Sequence, residues 1–306
     1  MSSSSSATTR QRSRARKQAA VSLQRILTVV SITVLVVFLA EFQPLAYARG
    51  SVDGVNNSIE KTNDTPPHLI EQKPLPHQLG MYRHLQTPTA DGFDIYAVTL
   101  RPAYRASLYK QEASTPFFAK TISQLSREND FMVAINGGFF TPEFEPAGLF
   151  IAEGQVLHKI GHDKTLTSCV AINRDKRIIL EKNREDCLAQ DYAMQSGPWL
   201  LDHGKINPRL VPVESQKRLF FTPHRRTILA LANDDQLIIL TTSDATLWAI
   251  ANILKDYPQV LGVKTIQSAL NLDGGSSTGL FVRLEDEPFY FPEQNRVKTF
   301  LFFYPS

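Results

Sequence analysis

The hydrophobic pattern of this chain changes period several times between residue 93 and its end, and those changes predict most of its elements. Residues 93–100 (FDIYAVTL) alternate as a half-buried strand does, and 131–135 form a short apolar run of strand length. Three pairs of apolar runs flank short polar turns: 148–152 with 155–159 around Glu153-Gly154, 166–173 with 177–180 around 174–176, and 226–232 with 236–241 around 233–235. Each pair reads as an antiparallel hairpin. Further strands are expected at 269–272, 279–284 and 297–303.

Helical spacing occurs twice. Phe118, Ile122 and Leu125 share one face of residues 117–127, while Leu247, Ile250, Leu254 and Tyr257 share one face of a helix starting near Ser243 and stopped by Pro258. Hairpins interrupted by two helices predict an α+β fold, a mainly antiparallel mixed sheet system with a few packed helices in a single domain over 91–306.

The first ninety residues follow another logic. Arg10, Arg12, Arg14, Arg16, Lys17 and Arg25 precede an uncharged apolar run at 26–40 (ILTVVSITVLVVFLA), followed by Ala46 and Ala48 in the small-x-small pattern of a cleavage site. Residues 1–48 are therefore expected to be a signal peptide cleaved after Ala48 or an uncleaved amino-terminal anchor. The domain would then be periplasmic, extracellular or held outside the cytoplasm, touching the membrane only through 26–40. Residues 49–90 are polar and proline-punctuated, as a linker or surface arm is, with glycosylation-acceptor patterns at Asn56 and Asn63.

This leader also explains the charge. The chain has 33 basic and 30 acidic residues; without residues 1–48 the balance becomes 27 against 29. The basic excess belongs to topology, so nucleic acid is not an expected partner. Two cysteines, Cys169 and Cys187, lie beyond the leader. In an oxidising compartment they would close one loop, worth about 2–4 kcal/mol if unstrained, or remain two buried thiols.

Candidate chemistry gathers at three apolar-to-polar corners: Asn136-Gly137-Gly138, Ser196-Gly197-Pro198 and Asp273-Gly274-Gly275-Ser276. Each is either a glycine turn or a place where a short polar group stands beside room for a ligand. Asn136 and Ser196 suit hydroxyl groups, Arg226 suits a phosphate or carboxylate, and amides around the glycines suit an anion. Asp273 reads as an acid, base or nucleophile, as a ligand for a divalent cation such as calcium or magnesium, or as a turn residue. Trp199 is either a sugar-stacking platform or a packing residue. His203, in a turn expected at 199–204, and His224 are further candidates, and Glu143, Glu145 and Asp202 are candidate second carboxylates.

Residues 134–140 (AINGGFF), 146–149 (PAGL) with Glu153-Gly154, 196–200 (SGPWL) with Gly204, 226–228 (RTI) and 269–278 (ALNLDGGSST) occur in one order. Through them the part from about 90 to 306 resembles the phosphodiester glycosidase family, whose bacterial members are often exopolysaccharide-related. The resemblance implies a polar pocket built from Asn136, Gly137, Ser196, Gly197, Arg226, Asp273, Gly274 and Gly275. It further implies hydrolysis of a sugar-1-phosphodiester at the C1–O bond, in a phosphorylated sugar or polysaccharide. The alternatives are a glycan-binding or exopolysaccharide-assembly protein without turnover, and another hydrolase on the same scaffold. Ala230 stands where members commonly have glycine, and Ser276 where many have a third; each would narrow the pocket if it faced inward.

Overall fold

The computed structural model describes residues 65–88, 92–210 and 220–306. The expected leader, the expected membrane contact at 26–40 and Asn56 and Asn63 lie outside the described residues. Among the described residues no helix is long and apolar enough to cross a membrane.

The described residues open with an antiparallel meander of β1 (His68–Pro74), β2 (Gly80–Gln86) and β3 (Asp94–Leu100). Strands β4 (Tyr104–Lys110) and β5 (Val133–Asn136) are separated by helix α1 (Ile122–Leu125). The hairpin β6 (Phe150–Ala152) and β7 (Gln155–His158) follows, then β8 (Ser168–Ile172), β9 (Ile178–Glu181) and β10 (Tyr192–Ser196). A small hairpin, β11 (Trp199–Asp202) and β12 (Lys205–Ile206), precedes the long pair β13 (His224–Ala232) and β14 (Leu237–Ala245). Helix α2 (Leu247–Asp256) then leads to β15 (Ile266–Asn271), β16 (Leu280–Val282), β17 (Phe289–Phe291) and β18 (Thr299–Pro305).

These strands form three antiparallel sheets. The central one has eight strands in the order β1-β2-β3-β14-β13-β15-β11-β12; the other two have five each, β7-β6-β10-β8-β9 and β17-β16-β5-β18-β4. In β14 the run Leu237-Ile238-Ile239-Leu240 sends alternate side chains to opposite faces, as strand geometry requires. Leu237 and Ile239 join Leu229 and Leu270 in a core shared with Ile135 and Leu301 of one outer sheet and Val170 and Met194 of the other. Ile238 and Leu240 face the opposite way, toward Leu247, Ile250 and Leu254 of α2. A strand covered on both faces reads as a continuous apolar run instead of an alternation.

Four expectations need correction. Residues 68–86, expected to end a polar arm, supply two strands; β1 is an exposed edge, whereas Leu75, Leu79, Tyr82 and Leu85 are buried. The 117–127 helix shrinks to α1, because a separate 3-10 turn at Pro116–Phe118 ends in an extended Ala119 and Thr121 starts a new capping box. Phe118 is consequently exposed rather than on a helical face. Helix α2 is capped by Thr246, not Ser243, whose hydroxyl accepts the Asp94 amide and stays in β14. The turn expected at 199–204 is the β11–β12 hairpin.

Cys169 and Cys187 form a disulfide that ties β8 to the 3-10 turn at Asp186–Ala189. Ala230 is buried beneath α2 and narrows no cleft.

Candidate active site

The three polar corners are three of the four places where the described strands change sheet, the fourth being the step from β3 to β4 at 101–103. Asn136 ends β5, and the chain leaves for the sheet that contains β6; Ser196 ends β10, and the chain enters the central sheet as β11; beyond β15, Asp273 starts the return to the outer sheet as β16. Their similar sequence goes with close approach: at each of these three corners another segment lies against the turning glycine backbone.

Hydrogen bonds bring the corners together around residues 271–279. Asn136 is fully buried, and its Nδ2 donates to the Asp273 carbonyl at 2.8 Å. Its Oδ1 accepts from the Thr227 hydroxyl at 2.7 Å and from the Gly279 amide at 3.2 Å. One amide group therefore holds both ends of the Asp273–Gly279 loop and secures it to β13. The Asp273 amide donates to the Gly137 carbonyl at 3.3 Å. Ser196, also fully buried, donates its hydroxyl to the Asn271 carbonyl at 2.9 Å, and the Asn271 amide group returns a bond to Gly197 O at 2.9 Å.

Asn136 and Ser196, expected to orient substrate oxygens, thus orient the protein's own main chain. A buried polar group left without a partner costs roughly 1–3 kcal/mol, which is why each is paired.

The glycines divide the same way. A Cβ on Gly137 would lie 2.4 Å from Thr299 Oγ1, one on Gly138 2.9 Å from the Met194 side chain, and one on Gly197 2.1 Å from Thr165 O. On Gly274 it would lie 2.8 Å from Arg225 O. These four glycines permit close packing. Gly275, in the left-handed region at φ 61°, would meet nothing within 4 Å, so its outer face borders open space.

Asp273 is the titratable group at this opening. It is half-buried, with its Oδ1 accepting the Gly274 amide at 2.9 Å and its carboxyl bonded to Ser277. Protein crowds the carboxyl enough that burial raises its pKa to about 7, against the lowering effect of those two bonds. Arg226 lies beside the turn: its Cδ would be 3.7 Å from a Cβ on Gly274. Its Nε donates to Ala245 O at 3.1 Å and its Nη2 to Thr222 O at 2.8 Å, and burial lowers its pKa to about 10. Arg225 braces the far end of the loop, donating to Thr278 O at 2.8 Å while stacking over Phe291.

Other candidates lie elsewhere. Trp199 is 5% exposed and packs in the shared core. Asp202 pairs with Lys182 and His203; its register partner Ser268 lies three residues before the end of β15, about 10 Å at strand rise, and Asp273 lies beyond that end. Glu145 lies 3.6 Å from the buried Lys298, Glu143 is exposed, and His224 is exposed on β13 opposite Ala245. Among the described residues no three His, Cys, Asp or Glu side chains gather as a metal-holding group.

Sequence reading missed Thr227, Ser277 and Gly279. Thr227 sits next to Arg226 in a motif already singled out, and its wholly apolar neighbours Ile228 and Leu229 were the available signal that its hydroxyl points into a buried network.

Residues 129–304 match the model of the phosphodiester glycosidase family. The fold resembles the catalytic domain of zebrafish N-acetylglucosamine-1-phosphodiester alpha-N-acetylglucosaminidase, auto-inhibited by its pro-peptide, with a TM-score of 0.56 at 16% identity over 80% of this chain and 86% of that one. A hypothetical protein from Synechocystis aligns with a TM-score of 0.52 at 15% identity, over 80% of this chain and 64% of the other. In sequence, an uncharacterised protein of Escherichia coli (strain K12), YigE, is 24% identical over 142 residues, 39% of this chain. The match spans about half, 51%, of that relative's length.

Proposed function

Because the chain belongs to the phosphodiester glycosidase family, we propose that it hydrolyses a sugar-1-phosphodiester in an exported glycan, breaking the glycosidic C1–O bond, with Asp273 as the catalytic carboxyl. The observation that carries this reading is the contrast at the three polar corners: of these, the one at 273 combines a recessed carboxyl with an adjoining glycine open to space.

In the proposed reaction a water oxygen bonds to the anomeric carbon. The C1–O bond breaks with its electron pair going to the phosphate oxygen, and the water proton passes to the Asp273 carboxylate and then to solvent. A phosphate monoester departs readily, so a strong general acid is not required, whereas ordinary glycosides use a pair of carboxyl groups. That fits a site where Asp202 and Glu145 are engaged with Lys182 and Lys298.

Arg226 contributes positive charge beside the Gly274 turn, and the main-chain amides of Gly275 and Ser276 supply donors to the phosphodiester. Asn136, Ser196 and Thr227 are positioning residues. They hold the loop so that its carboxyl and open face keep their relation. The disulfide suits an oxidising compartment and supports an exported location. A phosphorylated sugar or polysaccharide is the proposed partner.

The test is turnover of methyl and glycosyl phosphodiesters of N-acetylglucosamine-1-phosphate, and of other sugar-1-phosphodiesters, by the native chain and by Asp273→Asn. Native turnover falling at least 1,000-fold in a folded variant is the expected result, in line with losses seen for groups acting in the transition state. Native protein inactive on every sugar-1-phosphodiester, or a variant as active as its parent, overturns the proposal.

A further inference from the structure

Beside the Asp273 loop lies a groove of about 900 Å³, lined by Phe117, Phe140, Gln294, Asn295 and Arg296 among others. It is at the upper end of the roughly 300–1,000 Å³ usual for ligand sites, room for more than one sugar ring. At its edge the Pro116–Phe118 turn holds Phe117 and Phe118 out in solvent, 88% and 71% exposed, edge-to-face with centroids 5.1 Å apart. Two neighbouring phenyl rings left in water each forgo about 1.5–3 kcal/mol of burial, which a ligand can recover.

The chemistry next to the rings is polar and planar. Gln294 and Asn295 carry exposed amide groups and Arg296 a guanidinium. The nearby Glu293 carboxylate is engaged internally, accepting the Ile122 amide and the Tyr290 hydroxyl, both at 2.7 Å. The groove is also joined to the site. The Ser276 carbonyl accepts the Gln294 and Asn295 amides at 2.8 and 3.0 Å, and Asn295 Nδ2 donates to Ser276 Oγ at 2.8 Å. Ser276 follows Gly275, the glycine that borders open space.

We infer that this groove holds an oligosaccharide, the glycan chain on the far side of the phosphodiester, with sugar faces stacked on Phe117 and Phe118 and hydroxyls bonded to Gln294, Asn295 and Arg296. Aromatic faces beside forked donors and acceptors match the two chemistries of a sugar ring, its C–H face and its hydroxyl rim. A lipid tail would bury the same amides and guanidinium without partners, at a cost of several kcal/mol. The assignment rests on the proposed activity, since it names the substrate segment held beside the same carboxyl. It also explains Ser276 in place of a third glycine: its hydroxyl fastens the groove wall to the catalytic loop.

The experiment applies the full native chain, Phe117→Ala/Phe118→Ala and Arg296→Ala to an immobilised array of neutral and phosphorylated oligosaccharides of four or more units. In parallel each is mixed with phosphatidylcholine–phosphatidylglycerol (7:3) vesicles. The native chain is expected to retain a class of oligosaccharides, with affinity at least tenfold lower in the double variant and lower by a smaller factor in Arg296→Ala. Both phenylalanines are exposed, so unchanged melting midpoints should confirm that the variants are folded. Array binding by the native chain that is absent, or unchanged in the double variant, overturns the inference, as does a double variant that loses vesicle binding alone. The array reads binding and the Asp273→Asn assay reads turnover, so each reading can fail while the other stands.

Discussion

The crossovers at 196–198 and 273–279 look alike in sequence and do opposite work. At Ser196-Gly197-Pro198 the hydroxyl is spent on Asn271 O, and the glycine is where backbone meets backbone, with Thr165 O at 2.1 Å from any added Cβ. At Asp273-Gly274-Gly275 one glycine packs likewise, but the next faces open space and the polar group is a carboxyl whose pKa is raised to about 7. The lesson is that glycine beside a polar residue marks close approach, and whether the approaching group is protein or ligand depends on the outward face.

The strongest way to break this comparison is to remove the staple that gives the open corner its shape. Asn136→Ala strips partners from Asp273 O, Thr227 and Gly279 together and should cost about 2–4 kcal/mol, read by chemical denaturation. Asn136→Asp keeps the size but replaces the donor toward Asp273 O. Its kcat should fall further than its KM rises if the residue positions the loop, whereas unchanged kcat in a folded protein would leave Asn136 only a stability role. Gly137→Ala should destabilise by about 1–3 kcal/mol, because Thr299 occupies the space its methyl needs.

Reduction of the Cys169–Cys187 bridge, or Cys169→Ala/Cys187→Ala, should cost about 2–4 kcal/mol with little change in KM, since the bridge is in the outer sheet and its turn. Gly275→Ala is the sharpening control. Nothing obstructs its methyl, so only the left-handed backbone opposes it, at about 1–2 kcal/mol. Its effect should appear in KM for the phosphodiester more than in the melting midpoint.

Charge state supplies a further discriminator. The Asp273 pKa is higher in the folded protein than in the unfolded chain, so the native state binds more protons between about pH 4 and 7 and loses stability as pH rises across that window. Asp273→Asn removes that penalty and should be more stable than its parent above pH 7, by up to roughly 2–4 kcal/mol, with no advantage below pH 4. In the proposed reaction the carboxylate is the working form, so kcat/KM should rise through about pH 7. It should decline again near pH 10 as Arg226 loses its charge.

The central strands and α2 were legible in the sequence because strands covered on both faces cannot avoid an apolar run, as Leu237–Leu240 show. Strand β1 was not, since its side chains are nearly all exposed and HLIEQKP carries no buried face to write a period. Phe118 misled for the converse reason: helical spacing with Ile122 and Leu125 was present, but Pro116 and Thr121 punctuate the segment into two turns. At the candidate site, residue types pointed to positions that the fold brings together: Asn136, Ser196, Arg226 and Asp273 gather around 271–279. What stayed hidden was direction. That Asn136 faces Thr227 and Gly279 instead of a ligand depends on which sheet follows which, and no local pattern encodes it.

The account turns on where water enters. Hydrolysis of a sugar-1-phosphodiester by the native chain in ¹⁸O-labelled water, with both products weighed by mass spectrometry, should place the label in the sugar at C1 and none in the phosphate monoester. Label in the phosphate would mean attack at phosphorus and would contradict the role given to Asp273.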